Sequence, residues 1–197
     1  MPAKAVYLFV FPGLADWEAA HAIAELRRHG GYRVEVVGLN LRHVESMGGV
    51  IVQPARALAD VEQGDVAVFI LPGGDSWEKE PPDSELLALL TALDARRVPI
   101  AAICAATTVV VRAGLLRGRQ HTSNGLDYLS KQVPEYSEAG SYVDAPAVRD
   151  RGLITASGLA DVEFAAEIMA ELAVLSDTER ELWTRLFRSG RVPTGSA

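Results

Sequence analysis

The stretch Val98-Pro99-Ile100-Ala101-Ala102-Ile103-Cys104-Ala105-Ala106-Thr107-Thr108 runs from an apolar strand straight into a helix of small residues, with the only cysteine of the chain at the junction. A sharp strand-to-helix turn aims the side chain at its apex into a pocket, and the free N–H groups and dipole of the following helix favour thiolate over thiol. The competing reading of a lone cysteine is a small buried hydrophobe. The strand, elbow and helix pattern puts the two on an equal footing.

The same alternation continues on both sides of this segment. Val6 to Phe11 is an apolar run ended by Pro12-Gly13, and residues 16–29 then place Ala19, Ile23 and Leu26 at helical spacing. Tyr32 to Leu39 and Val66 to Leu71 are β-branched runs, the second closing in Pro72-Gly73-Gly74, while Ser84 to Leu93 gives a helix before the strand at 98–103. Val44 to Pro54, around Met47-Gly48-Gly49, predicts a small hairpin at one edge of the sheet. Leu153 to Ala156 predicts a late strand, followed by a helix over 161–174 capped by Asp161 and a last helix over 177–187. This order implies an α/β fold, a mostly parallel sheet with helices on both faces. It fits one domain over 1–197, with a core at about 5–175, a C-terminal helix at 176–188 and a flexible tail at 189–197, frayed from Arg191 to Ala197.

In open sheets of this kind ligands sit beyond the carboxyl ends of the strands, where strand order reverses. Asp16 and Glu18 follow the first strand, Gly73-Gly74 follows the third of the runs above, and Cys104 follows the fourth. Each feature alone has an ordinary explanation, a tight turn or an acid complementing a helix dipole. Their shared end of the sheet is what marks a site.

Composition narrows the function classes. The 19 basic against 26 acidic residues give a net charge of −7, and the arginines (Arg27, Arg28, Arg96, Arg97, Arg117, Arg119) fall in scattered pairs, so no nucleic-acid partner is expected. Apolar runs are short and stopped by Pro12, Pro72 or Pro99, so no membrane insertion is expected. One cysteine excludes an intramolecular disulfide, and the first residues carry an early Asp16 and Glu18 without a cleavage-site pattern, so the cytoplasm is the expected compartment. Four dispersed histidines and one cysteine show no metal-ligand spacing, and neither a metal nor another cofactor is expected.

Four segments in this order resemble the ThiJ/PfpI superfamily, a branch of the class I glutamine amidotransferase-like proteins: Ala15-Asp16-Trp17-Glu18, Leu71-Pro72-Gly73-Gly74, Ala101-Ala102-Ile103-Cys104-Ala105, and Gly152-Leu153-Ile154-Thr155-Ala156-Ser157-Gly158 leading into a Phe-containing helix. The likeness runs from about Ala5 to Leu172. It implies a flavodoxin-like three-layer sandwich, frequent homodimers and a cysteine nucleophile at Cys104. It also implies a carboxylic acid at Glu18 hydrogen-bonded to the sulfur, and an oxyanion site from the Gly73-Gly74 loop and the amide of Ala105, with Gly74 and Ala105 as the donors. An ionised carboxylate beside sulfur would raise the thiol pKa, whereas a protonated one donates to it, so Glu18 is expected to be neutral. Asp16 is the alternative, since some relatives place an aspartate near this position. Asp16, Trp17, Gly73, Asp75 and Asn124 are the further candidates for the pocket, with Trp77 a second aromatic that could line it.

Many superfamily members carry a histidine about twenty residues after the cysteine. In Gln120-His121-Thr122-Ser123-Asn124-Gly125 that place falls to Asn124, and strand alternation puts His121 on the opposite face, as a partly exposed surface residue. His21 lies one turn after Glu18 toward the pocket rim, His29 ends a helix, and His43 sits in a polar loop. The leading expectation is therefore a cysteine-dependent enzyme on a small-molecule substrate, with hydrolase, hydratase or lyase chemistry and no usual histidine. The alternative is a non-enzymatic redox or stress-response protein in which the same cysteine is oxidised to a sulfinate. A ligand-binding regulator has no appended helix-turn-helix to support it.

Overall fold

The structure, a computed structural model, describes residues 4–191. In chain order the elements are β1 (Ala5–Phe9), α1 (Ala20–Arg28), β2 (Val34–Gly38), β3 (Val44–Glu45), β4 (Ile51–Val52), β5 (Arg56–Ala57), β6 (Val66–Leu71), α2 (Ser76–Lys79), α3 (Ser84–Ala95), β7 (Ile100–Ile103), α4 (Thr107–Arg112), α5 (Leu126–Gln132), β8 (Ala147–Asp150), β9 (Leu153–Ala156), α6 (Asp161–Glu171) and α7 (Asp177–Ser189).

Seven strands form one sheet in the order β5-β2-β1-β6-β7-β9-β8, parallel throughout except for the antiparallel edge pair β8–β9. The pairs Val6↔Val68, Ile70↔Ala101 and Ala101↔Ile154 set the register of its centre. β1, β6, β7 and β9 are buried at every residue, as strands covered on both faces must be, whereas the outer β2 and β8 are only partly covered. Helices α1, α6 and α7 pack together on one side and α3, α4 and α5 on the other, giving three layers. Tyr7, Phe9, Phe69 and Phe164 are among the largest fully buried side chains, each contributing roughly 1.5–3 kcal/mol through the apolar surface it removes from water. The chain moves outward from β1 to β2, then returns to the other side of β1 as β6. The strand order therefore reverses between β1 and β6, which places the binding crevice beyond their carboxyl ends.

Several boundaries differ from the sequence expectations, each for a local reason. Residues 16–19 form a turn, and α1 starts only at Ala20. The Ala15 N–H donates to Gly73 O at 2.9 Å and the Met47 N–H to Leu14 O at 2.8 Å, so neighbouring loops hold this stretch. The hairpin at 44–52 is a separate two-stranded sheet, and β5 takes the edge position instead. Asp161 is the first residue of α6 rather than its cap; Ala160 holds the cap position without a side-chain bond. Asp161 instead faces His21, 3.3 Å from Nε2. The last helix has a capping box between Ser176 and Glu179 and ends at Gly190, whose φ of +62° suits a left-handed stop. Of the expected flexible tail, residues 192–197 lie outside the described residues. No helix among the described residues is long and apolar enough to cross a membrane.

Candidate active site

Cys104 sits at the apex of the elbow with φ +58°, in the left-handed region that costs a non-glycine residue roughly 1–3 kcal/mol. Ile103 before it is extended, and residues 104–106 make a single tight turn that continues into α4. Hydroxyls fasten this turn: Thr107 Oγ1 donates to Cys104 O at 2.6 Å and Thr108 Oγ1 to Ala105 O at 2.8 Å. With its proton so used, Thr107 accepts from Ser123 Oγ at 2.6 Å, which ties residues 122–124 to the elbow. Thr122 adds a bond from its N–H to Thr155 Oγ1 at 2.9 Å and from its hydroxyl to Ala145 O at 2.8 Å.

Four elements meet at the sulfur. Glu18, only 1% exposed, accepts the N–H of Gly73 after β6 and shares a hydrogen bond with Cys104 after β7. Asn124 Nδ2 donates to Sγ at 3.3 Å while Asn124 Oδ1 accepts the Gly158 N–H at 2.9 Å. The Ala105 N–H also faces the sulfur. Two glycines are required by space. A Cβ on Gly73 would lie 2.6 Å from Glu18 Oε2 and 2.7 Å from Cys104 Cβ, and one on Gly158 would lie 2.7 Å from Sγ.

Burial pushes Glu18 up to about 7 against the bond from Gly73, so its carboxyl exchanges a proton near neutrality. Burial also pushes the Cys104 thiol up to about 11, with the charge of Glu18 as the second cause. The expected depressed thiol pKa is thereby reversed. Loss of water around the sulfur outweighs the bonds from Asn124 and Ala105, and those N–H groups stabilise an anion only once it forms.

The remaining candidates lie around this cluster or away from it. Asp16 accepts from the Ser46 hydroxyl and from the Gly48 N–H at 2.7 Å, bonds that hold its carboxyl below the usual range and bind it to the β3–β4 hairpin rather than to sulfur. Asp75 is exposed, 3.5 Å from Lys79 Nζ. Gly74 packs tightly, a Cβ there falling 2.6 Å from Gly13 O. Trp17 is half-exposed with Nε1 3.5 Å from Gly158 O, at the rim, whereas Trp77 is buried against Phe9 and Phe11 and donates to Pro72 O at 3.0 Å.

His121 is fully buried, not a partly exposed surface residue, because the 121–123 segment is bridged to Tyr142 and covered by the chain that follows it. Both ring nitrogens are used: Nδ1 lies 2.8 Å from Arg119 O and so carries the proton, leaving Nε2 to accept from Tyr136 Oη at 2.6 Å. Burial holds it below the ordinary histidine value.

Sequence reasoning missed two side chains at the mouth. Tyr128 Oη donates to Glu78 Oε1 at 2.8 Å, and the phenol lies in the field of Cys104 and beside the Asn124 amide. Tyr128 is on α5 and Glu78 on α2, short helices that carry no clear periodicity. Beyond Asn124 a cavity of about 430 Å³ opens between Ser123, Tyr142, Asp144, Ser157 and Leu159. Among the described residues no group of three or more His, Cys, Asp or Glu is placed to hold a metal.

The model of the DJ-1/PfpI family matches residues 4–171 of this chain. The protein belongs to the DJ-1/PfpI family. A relative from Bacillus subtilis, named as the uncharacterized protease YoaZ, is 37% identical over 194 residues, covering 94% of this chain and 91% of that protein. Among solved structures of the superfamily, the DJ-1 superfamily protein Atu0886 from Agrobacterium tumefaciens superposes with a TM-score of 0.87 at 31% identity, over 95% of this chain and all of that one (100%). A thiJ/pfpI family protein from Bacillus anthracis gives a TM-score of 0.86 at 33% identity, over 97% of this chain and 93% of that one. These neighbours share the flavodoxin-like DJ-1/PfpI sandwich that the sheet order describes.

Proposed function

We propose that this DJ-1/PfpI protein is a cytoplasmic enzyme in which the Cys104 sulfur adds to an electrophilic carbon of a small carbonyl, amide or nitrile-like molecule, in hydrolysis, hydration or lyase chemistry. The carrying observation is the strained elbow that holds Cys104 at φ +58° among hydrogen-bond donors. Glu18 lends a proton to the sulfur in its neutral form, and the amides of Gly74 and Ala105 are the proposed oxyanion donors. YoaZ bears the name of an uncharacterized protease. An amide leaving group needs a proton donor, and His121 is sealed away from the sulfur, so carbonyl and nitrile-like substrates fit this chain better.

A second reading, a redox protein, draws support from Glu18: protonated, it could donate to an oxygen of a Cys104 sulfinate. Purified protein presented with small aldehydes, amides and isonitriles separates the two. Turnover of one class, reduced at least about 10²-fold in Cys104→Ala, is expected. Absence of turnover in every class, with Cys104 converted to sulfinate by dilute peroxide, would sink the enzyme reading and select the redox one.

A further inference from the structure

The cavity of about 430 Å³ beside Cys104 shares its wall with the sulfur. Asn124, which lines it, donates to Sγ at 3.3 Å. Gly158, whose Cβ would fall 2.7 Å from Sγ, lies between the lining residues Ser157 and Leu159. A molecule attached to Sγ has this space for its remainder, and the volume suits a small organic ligand.

The charges of the lining have one sign. No lysine, arginine or histidine lines the cavity, whereas Asp144 and Glu163 both do. Glu163 is ion-paired with Arg188, so its charge is spent. Asp144 is exposed and enters no ion pair among the described residues. Tyr142 adds an aromatic surface to the same lining, its ring fixed by the bond from Oη to Ser123 O at 3.4 Å and by edge-on contact with His121. A carboxylate beside an aromatic surface suits an ammonium group, which is drawn to the charge of one and the ring of the other. Around the sulfur itself the neighbouring charges are again carboxylates: Glu18, Asp161 in the field of Glu18, and Glu78 on Tyr128. An anionic substituent would enter this field with no countercharge in the lining to receive it.

We propose that the cavity is a subsite for a cationic group: the molecules that react at Cys104 are electrophiles carrying an ammonium, seated on Asp144 beside Tyr142, and their anionic analogues are excluded. The substrate class rests on the enzymatic reading above, but selection by charge at the sulfur is measurable without turnover.

Matched methanethiosulfonates measure it, and Cys104 is the only thiol they can modify. With the cationic 2-(trimethylammonio)ethyl and the anionic 2-sulfonatoethyl reagent alike, the thiolate forms the Sγ–S bond, the S–SO₂ bond breaks, and methanesulfinate leaves with the electron pair. Both consume the same thiolate, so the ratio of their rates cancels the thiol pKa and reports the surroundings. The ratio on 2-mercaptoethanol is the reference without a protein. At low salt the cationic reagent is expected to be favoured at Cys104 about tenfold or more beyond that reference. In about 0.5 M salt the preference should fall. Asp144→Asn should lower the ratio at least about threefold, and Asp144→Lys should bring it below the reference. Glu62→Gln makes the same change of charge before β6, at the amino ends of the strands and away from the site, and should leave the ratio within about twofold. A ratio equal to the reference would remove the subsite. So would a preference that Asp144→Asn and Glu62→Gln affect alike, since the net charge of −7 and not the cavity would then be selecting. If the preference holds and depends on Asp144 while no aldehyde, amide or isonitrile is turned over, the enzymatic reading alone fails and the cation seat beside Cys104 stands.

Discussion

Glu18 and Cys104 are two weak acids in one dry spot, and an ionised Glu18 opposes the thiolate of Cys104. In Glu18→Gln the thiol should titrate below about 11, since a like charge is gone, yet stay above the ordinary 9.0, since burial is the larger cause and persists. Iodoacetamide alkylation across pH measures this, and a thiol already below 9 in the unsubstituted protein would contradict it. The same carboxyl links stability to pH. Its folded pKa of about 7 lies above the ordinary 4.5, so the unfolded chain loses the proton first. The stabilisation is full below 4.5 and is lost as pH rises through 7, by about 3 kcal/mol at 1.36 kcal/mol per unit. Urea denaturation of the protein and of Glu18→Gln at pH 4.5 and pH 8 should show their stability difference shrinking by that order; a difference flat with pH would mean the carboxyl is ionised throughout.

At the scale of elements, the buried strands and the elbow were legible because parallel strands covered on both faces read as unbroken apolar runs, and Val66–Leu71 and Leu153–Ala156 were placed to the residue. Glu18, Gly73 and Cys104 could be grouped from topology alone, since all three follow strands at one end of the sheet. What was not legible depends on contacts distant in sequence. His121 reads as an exposed polar residue in a polar stretch, and only Tyr136, Tyr142 and the Arg119 carbonyl make it a buried one. The thiol pKa likewise depends on how dry the elbow becomes, which no motif states. His121→Ala leaves the Tyr136 hydroxyl without its partner and opens a cavity, a loss of about 2–4 kcal/mol. Activity per folded molecule should nonetheless stay within about tenfold. Denaturant midpoints and turnover in one preparation check both, and a collapse of turnover in folded protein would return the histidine to the mechanism.

For the whole molecule, the β3–β4 hairpin is an element with almost no core of its own. Strands of two residues do not hold alone in water, and this pair is fastened by Asp16, by the Gly13 N–H to Glu45 O at 2.8 Å and by the Met47 N–H to Leu14 O at 2.8 Å. It nevertheless points Met47, Val50 and Ile51 at solvent, 46%, 56% and 59% exposed. An apolar tip on so slight a support is better explained by a second copy of the chain covering it than by a free surface, and we propose a homodimer that uses it. Light scattering at micromolar concentration should return twice the chain mass of 21.1 kDa, and Ile51→Glu should shift the protein toward a monomer with its far-ultraviolet spectrum unchanged. A monomeric mass for the unsubstituted protein would remove the dimer and leave the chemistry of Cys104 as argued. If the dimer forms, it reaches the site through one short path, because the hairpin grips Asp16, two residues before Glu18. Ile51→Glu should then loosen the Glu18 turn and raise the iodoacetamide reactivity of Cys104 by admitting water to the sulfur. An alkylation rate unchanged in a proven monomer would show that the crevice is held within a single chain.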